Sequence, residues 1–209
     1  MLETIDLECQ RGDRLLFSGL ALRLRPGDCL HVAGENGSGK TSLLRILCGL
    51  MAPSAGSVRW QGQDIRRLRE AYSEQLAYVG HLNGVKDDLT AAENVHVSAA
   101  IAGWAADDAT VRSALGSFGL AGFEDRPVRT LSQGQRRRVA LSRLRCAGGV
   151  RLWILDEPFT ALDRHGVGAL TDLIGAHLAR EGCVVFTTHQ DVAMPGRVDR
   201  LELVATAHA

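Results

Sequence analysis

What this sequence lacks narrows the possibilities first. It has no net charge: lysine plus arginine and aspartate plus glutamate number 24 each. No overall field therefore draws the chain to nucleic acid or to an anionic membrane, and a charged partner has to be met locally. Cys9, Cys29, Cys48, Cys146 and Cys183 are scattered, odd in number and never spaced as CxxC, which argues against both a disulfide framework and a zinc site. We read them as reduced, buried small hydrophobes. No apolar run approaches the ~20 residues that a membrane span requires. The first ten residues carry Glu3, Asp6 and Glu8 and lack the basic start and apolar centre of a signal peptide. The sequence reads as cytosolic, with any membrane association supplied by a partner. No internal repeat, low-complexity tract or Pro/Ser-rich linker divides its 209 residues, a length that suits one α/β core. The expectation is a single domain over 1–209.

Three short apolar runs each end in a residue capable of phosphate chemistry. Cys29 to Ala33 precedes a glycine-rich stretch, Leu152 to Leu155 precedes Asp156, and Val184 to Thr188 precedes His189. Continuous apolar runs of this length suit strands buried on both faces. A parallel sheet gathers its ligands beyond the carboxyl ends of its strands, so the three ends should converge on one site. Leu43, Leu44, Ile46, Leu47 and Leu50 fall at helical spacing and predict a helix over Thr41 to Leu50, with Gly49 near its stop. Between about residues 84 and 145 strand signals vanish and alanine-rich helical segments appear, with Asp107 or Asp108 as a cap for the stretch reaching Leu120. That region reads as an inserted helical subdomain. The tail after Pro195 carries no signal.

Gly34, Glu35, Asn36, Gly37, Ser38, Gly39, Lys40 and Thr41 match GxxxxGK[ST] between an apolar strand and a helix, as the mechanism of that loop requires. Backbone amides exposed by the glycines and the helix N-terminus would surround a β-phosphate. Lys40 would span the β- and γ-phosphates, and the Thr41 hydroxyl would ligate magnesium. Asp156 and Glu157 close the second apolar run. A carboxylate at a strand end beside such a loop is placed to hold magnesium, and its neighbour to polarise an attacking water. Two acids ending a strand are common as a solvated terminus, and it is Lys40 upstream that turns the balance toward chemistry.

Leu131 to Gln135 reads LSQGQ and resembles the LSGGQ signature of the ABC ATPases, a similarity that extends over nearly the whole chain. The resemblance implies a P-loop α/β core with an N-terminal antiparallel β portion. It also implies that Ser132 and Gly134, flanked by Gln133 and Gln135, contact the γ-phosphate held by another subunit. Thr160 to Asp163 resembles the family's D-loop, and His189 its γ-phosphate-contacting switch histidine. One copy of each motif then implies two such chains arranged head to tail, with ATP and Mg2+ between them. Two positions depart from the family pattern. His81 replaces a glutamine that links nucleotide to the transmembrane partner, and brings an imidazole that can change charge near neutral pH. Arg11 stands where an aromatic residue often stacks on adenine, a role that a guanidinium plane can also fill.

Within the family, Tyr78 to Val95 (YVGHLNGVKDDLTAAENV), LSQGQRRRVALSRL and LWILDEPFTALD resemble the ATPase subunits of cytochrome c maturation systems. That likeness implies a peripheral subunit on integral membrane proteins at the cytoplasmic face of the bacterial inner membrane. Its ATP hydrolysis would drive haem export or release of a haem-loaded chaperone. No haem site is legible. By analogy Lys86, Asp87 and Asp88 lie in a loop near the membrane partner. The alternatives are an ATPase serving another cargo and a soluble ABC protein acting on ribosomes or DNA. The second commonly has two ATPase domains or a long coiled-coil insertion, and this chain has neither. Arg136, Arg137, Arg138, Arg143 and Arg145 form a basic cluster interleaved with apolar residues. Without an aromatic platform or net positive charge it reads as a solvated or partner-facing helix side rather than a nucleic-acid site. His31, His96, His165, His177 and His208 are read as structural.

Overall fold

The computed structural model describes residues 1–204; of the residues considered above, His208 lies outside them. Strands β1 (Leu2–Arg11) and β2 (Arg14–Leu24) form an antiparallel hairpin across the turn Gly12-Asp13. They join β4 (Ala55–Trp60) and β5 (Gln63–Asp64) in a sheet of order β2-β1-β4-β5. The second sheet contains β3 (Cys29–Gly34), β6 (Leu76–Val79), β7 (Leu152–Leu155), β8 (Cys183–Phe186) and β9 (Val198–Leu203), in the order β6-β7-β8-β3-β9. All of its pairings are parallel. Every residue of β7 and β8 is buried, which is why these strands read as unbroken apolar runs rather than alternating ones.

Helix α1 (Lys40–Leu47) follows β3 and packs between the two sheets. Leu43, Leu44, Ile46 and Leu47 are fully buried there with Leu2, Leu7, Val32 and Ile154, and each such side chain contributes roughly 1.5–3 kcal/mol of burial. Two short helices, α2 (Ile65–Leu68) and α3 (Glu70–Ser73), lead into β6. On the other face of the parallel sheet, α7 (Arg164–Leu178) lays Leu170 and Ile174 against Trp153, Val184 and Phe186. A third apolar cluster joins α4 (Ala91–Ile101), α5 (Asp108–Ser117) and α6 (Gln133–Ser142) through Val95, Val111, Leu115 and Val139. These helices occupy the stretch that carries no strand pattern in the sequence.

The predicted α/β architecture, with an antiparallel N-terminal portion and a helical insertion, is the one observed. Asp107 is the cap of α5, its side chain accepting from the Thr110 amide at 2.8 Å. Helix α1 stops at Leu47 rather than Leu50, because Gly49 takes φ 72° just beyond the cap. The tail that gave no signal supplies β9. It is an edge strand whose exposed Asp199, Arg200 and Glu202 mask the apolar alternation of Leu201 and Leu203. The basic cluster also differs from expectation. Arg137 is buried and Arg136, Arg138 and Arg143 are half-buried, so only Arg145 lies on an open helix side. The tertiary contacts responsible involve the candidate site.

Candidate active site

The parallel sheet brings the carboxyl ends of β3, β7 and β8 to one edge, and the chemistry-bearing residues of all three stand there. The loop from Gly34 to Thr41 turns from β3 into α1. A side chain at Gly34 would collide with the Leu203 carbonyl and lie 2.7 Å from Ser38 Oγ, so only glycine lets the loop leave the sheet this closely. Gly39 has φ 102° and caps α1 without any side-chain hydrogen bond, and the first turn of that helix has no acidic residue. The helices α4 to α7 are all closed by side chains, from Thr90, Asp107, Ser132 and Asp163. The open N-terminal amides of α1 are thus left for an anion. Lys40 Nζ arches back to donate to the carbonyls of Gly34 (2.7 Å) and Glu35 (3.0 Å). Beneath the loop Ser38 Oγ is buried with no hydrogen-bond partner.

The end of β7 meets this loop directly. Thr41 Oγ1 donates to Asp156 Oδ2 at 3.0 Å, and Thr187 Oγ1, just after β8, donates to Asp156 Oδ1 at 2.9 Å. Asp156 is almost wholly buried. The same Thr187 oxygen accepts from the Glu157 amide at 2.9 Å. Glu157 sits at φ 49°, a backbone region that costs a non-glycine residue about 1–3 kcal/mol and persists only where its surroundings impose it. Its Oε2 accepts from the His189 amide at 3.3 Å. Its Oε1 is buried without a hydrogen bond, and His189 Nε2 lies 3.5 Å away, beyond a good hydrogen bond. A cavity of about 580 Å³ is lined by Lys40, Thr41, Asp156, Glu157, His81 and His189 among others. Two carboxylates, the hydroxyls of Thr41, Ser42 and Thr160, one ammonium and two imidazoles therefore line one chamber.

The structure does not bring every residue of the sequence reading to that chamber. Asn36 and Gly37 border it, while Glu35 contributes its backbone. Arg11 is exposed at the end of β1 and outside the chamber's lining. It pairs across the hairpin with Arg14, whose Nη1 would lie 3.6 Å from a Cβ at Gly37. Leu16 joins the lining. Neither Arg14 nor Leu16 had any sequence signal, because only the hairpin's fold carries them over the loop. Ser132, Gln133, Gly134 and Gln135 form the start of α6 and lie outside the chamber of their own chain. Ser132 and Gln135 close a reciprocal capping box (2.9 and 3.2 Å). The Ser132 oxygen accepts there, and its O–H is left to donate outward. Gly134 abuts the Ala161 carbonyl of the Thr160 to Asp163 turn, 2.8 Å from where a Cβ would stand. Asp163 caps α7 through the Gly166 amide at 2.8 Å, and that hydrogen bond holds its carboxyl below the usual range.

The family model for ABC transporters matches residues 17–160, a span that includes the phosphate loop, the LSQGQ stretch and both acids. This chain belongs to the ABC transporter family. The cassette is 52% identical to the cytochrome c biogenesis ATP-binding export protein CcmA of Nitrosospira multiformis, over 97% of this chain and 98% of that protein. It is 51% identical to the CcmA of Methylococcus capsulatus, over 94% of this chain and 95% of that one. The solved dimeric structure of a bacterial ABC transporter cassette superposes with a TM-score of 0.82 at 23% identity, covering 99% of this cassette and 97% of that chain. Among the described residues of the cassette, no helix is long and apolar enough to cross a membrane.

Proposed function

We propose that this cassette is the ATP-hydrolysing subunit of an ABC complex for cytochrome c maturation. It works as a head-to-tail pair of copies bound peripherally to integral membrane subunits at the cytoplasmic face of the inner membrane. The observation that carries the paired ATPase is a separation within one chain. Lys40, Thr41, Asp156 and Glu157 share a chamber from which Ser132 to Gln135 are absent, so the signature has an anion to meet only in a second copy. The cytochrome c assignment is supported by 51–52% identity to CcmA proteins over nearly the whole chain.

The chamber fits ATP with Mg2+. Open α1 amides, the orphaned Ser38 hydroxyl and Lys40 suit phosphate oxygens, while the Thr41 hydroxyl and Asp156 carboxylate offer the few hard oxygen ligands that magnesium takes from protein. When bound, the nucleotide supplies the transferable phosphoryl group, and the metal neutralises charge on its oxygens. Lys40 and the loop would grip the phosphates, and Thr41 and Asp156 would hold the metal. The free Oε1 of Glu157 accepts the proton of the attacking water, with His189 beside it to orient the γ-phosphate end. Ser132 and Gly134 close the partner copy's site, Asp163 shapes the turn behind them, and Arg11 with Arg14 flanks the base. His81, facing both chamber and solvent, couples nucleotide state to the membrane subunits. Haem export or release of a haem-loaded chaperone is the output.

Glu157→Gln tests this: ATP binding persists, turnover falls about 100-fold or more, and a nucleotide-bound dimer accumulates on size exclusion. Rapid turnover by this variant removes Glu157 as the base. Co-purification with cytochrome c maturation membrane subunits supports the cargo assignment, and recovery of lipid or drug exporter subunits instead overturns it.

A further inference from the structure

The signature helix carries a second device that faces its own chain. Arg137, two residues after Gln135, is 3% exposed, and no carboxylate pairs with it among the described residues. Its fork ends on backbone and amide oxygens of two separate loops. Nη1 donates to Gly80 O and Asn83 Oδ1, both at 3.1 Å, in the loop that holds His81. Nη2 donates to Asp156 O (3.2 Å) and Glu157 O (2.8 Å), and Nε reaches Pro158 O at 3.4 Å. Five N–H groups thus meet five acceptors, a match that a lysine's three donors cannot reproduce. Burial is the main force lowering the Arg137 pKa to about 10, with Arg143 nearby adding to it. Arg143 itself donates to Tyr78 O at 2.8 Å, so β6 is tied to the residue that caps the C-terminus of α6.

A buried guanidinium is an expensive way to fill space, and an apolar residue of similar volume commonly serves packing as well or better. What the guanidinium does here is join three elements. Glu157 keeps its φ of 49° between two clamps, Thr187 on its amide and Arg137 on its carbonyl. The second clamp sits on α6, whose first turn offers Ser132 outward. We propose that Arg137 is a positioning residue for hydrolysis, linking the signature helix to Glu157 of its own chain and to the His81 loop. A shift of α6 as the two copies close is then carried to the backbone of Glu157 and of the loop toward the membrane partner. The inference rests on the paired-ATPase reading above, because only then does α6 respond to a second copy.

The experiment uses the full chain reconstituted with its membrane subunits, measuring ATP turnover with and without those subunits. Arg137→Met is expected to lower kcat about tenfold while leaving KM for ATP within about twofold, and Arg137→Lys to recover part of the loss. Asn83→Ala removes one acceptor at the far end without opening the core, and is expected to cut partner-stimulated turnover severalfold at unchanged KM. Thermal melting separates misfolding from mispositioning. If Arg137→Met does not fold, the Lys and Asn83 variants decide. Wild-type kcat in Arg137→Lys together with undiminished stimulation in Asn83→Ala overturns the proposal, as does a rise in KM with kcat unchanged. Glu157→Gln, run in parallel, reports on the parent reading separately: if it turns over, the assigned base is wrong whatever Arg137 does.

Discussion

Two helix N-termini in this molecule are prepared for anions in opposite ways. At α1 glycine stands at the cap, no side chain answers the first amides and no acid occupies the first turn. At α6 Ser132 and Gln135 satisfy each other's backbone amides before any ligand arrives. Both ends have the positive field of a helix start. On the proposed paired-ATPase reading, the difference fits a separate task for each. An end that must enclose a phosphate needs its amides vacant, and the loop's glycines let the backbone approach. An end that must hold its shape until a second copy docks is better closed, with one hydroxyl proton still to give.

That contrast can be broken from either side. Lys40→Ala strikes the open end: it removes a charge-assisted contact, and nucleotide affinity of the isolated chain should fall roughly 10- to 100-fold in a fluorescent-nucleotide titration. Undiminished affinity would detach the loop from ATP binding. Ser132→Ala strikes the closed end, and its predicted signature is mixed. Affinity of the isolated chain stays unchanged, stability drops by about 1 kcal/mol for the lost cap, and turnover of the pair falls about tenfold or more for the lost donor. Thr90→Ala sharpens the point, because α4 has the same reciprocal box. It should cost a similar ~1 kcal/mol in urea unfolding and leave turnover per folded molecule unchanged. Equal turnover losses in the two variants would mean that Ser132 is a cap and nothing more.

The smallest effect comes from pH, using two of the helices that carboxylates close. Asp107 is held below the usual carboxylate range first by its hydrogen bond with Thr110, and Asp163 by the one from the Gly166 amide. A carboxyl whose folded pKa is depressed stabilises above its ordinary value near 3.9, and that contribution disappears as pH falls through the lower folded value. Fraying of α5 and α7 should therefore set in below about pH 4, while the hydroxyl caps of α4 and α6 persist. Amide exchange at Gly166 against Gln135 between pH 5 and 3 measures this, and parallel loss at both would contradict it.

The phosphate loop, the acid pair, the LSQGQ stretch and the three buried strands were all legible in sequence because each rests on local rules. Glycines mark where a backbone must turn or approach closely, and four to six consecutive apolar residues mark a strand covered on both faces. β9 was not legible, since an edge strand buries one face only and its charged residues broke the pattern. Arg137 was misread for a related reason. In sequence it is the middle of three arginines, and nothing local separates a guanidinium in water from one enclosed by five oxygens. Thr187 stood within an apolar run and could have been flagged as a hydroxyl at a buried strand end, but its two partners are 30 residues distant in sequence or more.

By itself, then, the sequence marked Gly34 to Thr41 as a loop of the phosphate-binding pattern and set two acids and a histidine at the ends of apolar runs, for these depend on residue type at short spacing. Tertiary structure decided how those pieces act together. Parallel pairing of β3, β7 and β8 placed Thr41, Asp156, Glu157 and His189 around one chamber. The packing of α6 turned Ser132 away from that chamber and buried Arg137 beside it. Pairing between strands and burial of a charge are long-range events whose free energy depends on what arrives opposite, and no local pattern specifies that.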